Sequence, residues 1–180
     1  MNEEEISESI FKGAKALINT KLQYLSGRNF FTPTSVEDAR LRGIKEGADP
    51  DVSISKAIVD KYARFLAEGV PVHVESALEG SGNQRSALES LVSHLPNAGY
   101  ILDGGVPNRP GKHILWCKDH IHAIGDRLDI STNWRDFCQE FTQRTQSEML
   151  PPTIGSEIKF GKKSISSFLE YASKKGYEIE

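Results

Sequence analysis

The chain has 180 residues, 38% hydrophobic and 26% charged, with a formal net charge of -3. That balance suits one folded core and argues against disorder. The net charge gives no overall positive field to attract nucleic acid, and no run approaches the roughly 18 apolar residues of a membrane-spanning helix.

The chain reads as a single α+β domain over 1–180, with a helical N-terminal region at about 1–69 and an α+β part at 70–180 carrying a small, mostly antiparallel sheet. Ile6, Ile10, Phe11, Ala14, Leu17, Ile18 and Leu22 follow helical spacing. Ser35 with Asp38 resembles a cap and predicts a short second helix weakened by Gly43 and Gly47. Ile54, Ile58, Tyr62, Phe65 and Leu66 share one face of a third helix that Gly69 stops. Val70–Val74 alternates as a strand, Gln84–Leu95 is a helix, and 99–103 is a strand. Lys112–Gly125 reads as a β-hairpin. Helices are expected from Trp134 and from Ser164, with a short edge strand at 157–160 between them.

The acidic start Met1-Asn2-Glu3-Glu4-Glu5 does not resemble a signal peptide. Cytoplasm is expected, or delivery to a host cell by a signal-less secretion route. Cys117 and Cys138 lie among apolar residues and make no disulfide framework. Lys159, Lys162, Lys163, Lys174 and Lys175 read as a solvated surface.

The densest chemistry lies in 113–126. With an even-length turn, pleat parity puts His113, Cys117, His122 and Asp126 on one side of a hairpin. Cys117, His120 and His122 offer thiolate and imidazole ligands that would suit zinc, although C-x2-H-x-H matches no common structural pattern. A histidine opening one strand and an aspartate ending the next resemble the His–Asp hairpin of papain-like cysteine peptidases. That resemblance implies His113 as general base and Asp126 as the group orienting its ring. It also implies a nucleophile at the helix start near Asn83, Gln84 and Ser86, where this sequence has no cysteine. It therefore implies either an inactive relative or an unusual use of Ser86.

Three weaker features complete the picture. Gly80-Ser81-Gly82-Asn83 with Arg85 could offer an anion turn but lacks a P-loop or dinucleotide spacing. Glu157-Ile158-Lys159 has the E-x-K form that one large nuclease class uses to hold Mg2+, with Asp103 as a partner carboxylate. Arg28, Phe30 and Phe31 fall in an expected loop. With no complete catalytic set, the leading expectation is a protein acting mainly by protein–protein interaction, of inhibitor, immunity, effector or phage-accessory type. The alternatives are a hydrolase or transferase using His113 and Asp126, and a metal-binding hairpin. No cofactor is expected, the partner is another protein, and neither nucleic acid nor membrane is foreseen.

Overall fold

The computed structural model describes residues 1–47, 51–69, 71–102 and 111–131. The fold is α+β, as the periodicities imply. Helix α1, Glu3–Ala16, begins with a capping box: Asn2 Oδ1 accepts the Glu5 N–H at 2.9 Å, and Glu5 Oε2 accepts the Asn2 N–H at 2.8 Å. Three glutamates in its first turn favour the positive end of the helix dipole. Its inward row is Ile6, Ile10 and Ala14.

Next comes an antiparallel meander: β1 (Leu22–Gln23), β2 (Phe30–Glu37), β3 (Arg40–Lys45) and β4 (Asp51–Ser55). Residues 35–47 are therefore a hairpin rather than the short helix expected from the cap-like serine. Asp38 (φ 47) and Ala39 (φ 58) form its two-residue turn, and positive φ at both central positions matches the twist of the flanking strands. Phe31, Leu41, Val52 and Ile54 face inward and are buried. Gly43 is obligatory beneath Phe31, because a Cβ there would lie 2.3 Å from the ring. Ile54, expected on a helix, lies within β4.

Helix α2, Lys56–Leu66, buries Val59, Tyr62, Ala63 and Leu66. The expected 70–74 strand shrinks to β5 (Val72–His73) and passes straight into one turn of helix, α3 (Val74–Ala77). Helix α4, Asn83–Ser93, buries Ala87, Leu88, Leu91 and Val92, and Ser90 Oγ donates to the Leu22 carbonyl at 2.9 Å, tying it to β1. A second sheet has the order β5-β7-β6-β8, with β6 Ala98–Ile101, β7 His113–Trp116 and β8 Leu128–Asp129. Strand β8 runs parallel to β6; the other pairs are antiparallel. One apolar cluster runs from Ile6 to Trp116 and takes in residues of both sheets. The helices expected from Trp134 and Ser164, and the strand at 157–160, lie outside the described residues. Among the described residues no helix is long and apolar enough to cross a membrane.

Candidate functional site

The expected 112–125 hairpin does not form. Strand β7 lies between β5 and β6, and its four residues are buried. Residues 117–127 return as an irregular loop held by side chains. Asn97 Nδ2 donates to the carbonyls of Cys117, Lys118 and Asp119 at 3.1 to 3.2 Å. Arg127 reaches the Gln23 side chain at 2.8 Å and the Tyr24 carbonyl at 3.2 Å. The pleat parity that linked the proposed site residues is therefore lost.

Each of those residues has a different setting. His113 is fully buried, its Nδ1–H donates to the Gly111 carbonyl at 2.9 Å, and its ring meets that of His73 with centroids 5.1 Å apart. Asp126 is exposed, and at His94 its charge only weakly opposes the downward shift that burial imposes. Burial dominates at His94 and pushes its pKa down to about 4, helped by the charges of Arg127 and His122 and opposed by the Ser90 carbonyl. Ser86 neighbours the Tyr24 phenol. Gln84 keeps a buried side-chain oxygen without a hydrogen-bond partner, and Asn83 opens α4. Arg85, expected at an anion turn, is drawn to Glu75 at 4.0 Å.

The zinc set is likewise dispersed. Burial, with the charge of Asp119, pushes the Cys117 thiol up to about 11, which opposes the thiolate that a metal or a nucleophile needs. His120 is exposed, and both ring nitrogens of His122 face carbonyls, Ala123 at 2.7 Å and Ala98 at 2.9 Å. Among the described residues no three His, Cys, Asp or Glu side chains come together to hold a metal ion.

What the fold does assemble is an ionic and imidazole cluster where β6 ends and β7 begins. Lys112 Nζ bonds both carboxylate oxygens of Glu89, at 2.7 and 2.9 Å, with the Glu89 side chain 1% exposed. Burial raises the Glu89 pKa, and Lys112 and Arg85 oppose that rise. The Tyr62 hydroxyl is buried within the field of this carboxylate, and its pKa is raised well above the ordinary value, mainly by burial. Beside it, His73 shares a hydrogen bond of 2.7 Å with Ser76 Oγ and stands opposite His113. Gly111 (φ +117) passes so close that a Cβ would sit 2.6 Å from His73 Nε2.

Sequence reasoning passed over Glu89 and Lys112. The available signal was a glutamate between Leu88 and Leu91 in the apolar arc of α4, where an unpaired charge is costly.

Over 132 aligned residues the chain is 30% identical to the Type II restriction enzyme NmeDI of Neisseria meningitidis serogroup C, a match covering 64% of this chain. The chain spans 36% of that enzyme's length. No family model matches, and no solved structure matches. The similarity overturns three sequence-based expectations: action mainly by protein–protein interaction, a papain-like hydrolase, and a partner set without nucleic acid. The formal net charge of -3 does not exclude a nucleic-acid partner, because it averages over the whole surface whereas contact with a polyanion depends on where the cations stand.

Proposed function

We propose that this chain is a DNA-acting protein of restriction-endonuclease type, corresponding to part of such an enzyme. The observation that carries the reading is the 30% identity to a type II restriction enzyme. The sequence adds the residue types that phosphodiester hydrolysis calls for. Asp103 stands two residues beyond the end of β6 in the chain, and Glu157-Ile158-Lys159 supplies a second carboxylate with a lysine two residues on. Carboxylates of this kind suit a hard divalent cation, which polarises a phosphoryl oxygen and activates water. Asp103, Glu157 and Lys159 all lie outside the described residues. Since the described residues form no cation site, no metal-dependent step is assigned to them. In this reading the Glu89–Lys112 pair is a positioning element, fixing the end of the sheet from which the chain continues into Asp103.

The test is digestion of plasmid DNA with Mg2+. The proposal expects discrete fragments from the wild type and none from Glu157→Gln. Plasmid left intact by the wild type overturns it.

A further inference from the structure

The outward side of the first sheet presents two arginines among serine hydroxyls. Along β3 the pleat turns Leu41 and Gly43 to the core and Arg40, Arg42 and Ile44 to solvent, with Ile44 48% exposed. Across the strands Arg42 stands between Ser35 of β2 and Ser53 of β4. The bulge at Pro33/Ser35 creates this alignment, since without the extra residue Ser35 would point inward. Arg40 Nη1 lies 3.4 Å from Ser53 Oγ.

Both arginines are exposed, and among the described residues neither forms an ion pair. Glu37 faces Arg40 and Asp51 faces Ile44, so the acids stand at opposite ends of the patch and leave Arg42 central. Helices α1, α2 and α4 contact the strands of this sheet, whose buried residues are those of the opposite side.

We infer that this outer face docks the phosphodiester backbone of duplex DNA, with Arg42 and Arg40 as its phosphate-binding cations. The inference rests on the reading of the chain as DNA-acting and deepens it by placing a contact surface. Guanidinium groups match phosphate oxygens in fork geometry, and flanking serine hydroxyls donate to the same oxygens. Contacts of this type position a duplex without reading its bases. Charge complementarity names the occupant: Arg42, with a serine opposite it on each neighbouring strand and the acids only at the ends of the patch, fits a phosphate of a regular polyanion, and Arg40, which faces Glu37, adds a second guanidinium beside it.

The experiment is fluorescence anisotropy of a labelled mixed-sequence duplex titrated with the whole chain at several salt concentrations. Each lost phosphate contact lowers the slope of log affinity against log salt by about 0.9, so Arg40→Gln/Arg42→Gln should flatten it by about 1.8 and weaken low-salt binding about tenfold or more. Lys12→Gln/Arg64→Gln, on exposed positions of α1 and α2, should leave the slope unchanged. Circular dichroism confirms that both variants fold. A wild type that binds duplex DNA while the Arg40/Arg42 variant keeps its slope, or while the control loses as much, overturns this surface alone. A wild type that binds no duplex overturns the DNA reading and the surface with it.

Discussion

Replacing Lys112 with Met keeps most of the side-chain volume but strips Glu89 of its counter-ion. The Glu89 carboxylate is 1% exposed, so its ionised form then sits uncompensated in a poor solvent for charge. The variant has an escape: it can take up a proton. That costs about 1.4 kcal/mol per pH unit between the ordinary glutamate value of 4.5 and the working pH, about 3.4 kcal/mol at pH 7 and about 0.7 kcal/mol at pH 5. Protonation therefore caps the penalty. The sign follows from linkage: a carboxyl whose pKa is raised by folding loses stability as pH climbs above 4.5. Urea unfolding at both pH values should show Lys112→Met destabilised by up to about 3 kcal/mol at pH 7, reduced by the cost the wild type already carries through its own raised Glu89 pKa, and by about 1 kcal/mol or less at pH 5. Adding Glu89→Gln should restore most of the loss at pH 7. A penalty that is equal at the two pH values, or below about 1 kcal/mol at pH 7, refutes the buried-pair reasoning.

Two further outcomes follow from the packing. His94 is held neutral by burial with a pKa of about 4, so its contribution is complete above the unfolded value near 6.5 and is lost as pH falls toward 4. That amounts to about 3 kcal/mol, seen as a fall in Tm over this window that His94→Gln flattens; an equally steep fall in the variant counts against it. Gly43→Ala drives a methyl to 2.3 Å from the Phe31 ring and 2.6 Å from the Thr32 carbonyl, and should cost about 2 kcal/mol or more in denaturant unfolding; a variant as stable as the wild type would contradict the register of β2 on β3.

Helical periodicity was legible where one face meets a core in α1 and α4, whose rows follow the apolar spacing read from the chain, whereas α2 turns Val59, Tyr62, Ala63 and Leu66 inward, leaves Ile58 and Phe65 half-buried and begins after Ile54. The first sheet was not. Ser35 and Asp38 imitate a helix cap, and the hairpin turn at Asp38-Ala39 has no glycine to announce its positive φ. The strict alternation from Arg40 to Lys45 was the missed signal. The 112–126 segment failed for another reason. A strand between two others draws its partners from distant sequence, here Val72 and Tyr100 opposite Ile114, so pairing it with its own continuation was unfounded. The Glu89–Lys112 pair is similarly non-local, joining a helix to a strand 23 residues away. The E-x-K motif at 157–159 carries little information in the sequence, because two carboxylates and a lysine recur by chance in charged chains.

The most direct test of the central claim is to digest a mixed-sequence linear DNA with the wild-type chain and Mg2+ and to sequence the ends produced. A restriction-type activity yields ends that share one short sequence and disappear with Glu157→Gln. Uncut DNA, or ends scattered without a common sequence, would contradict it.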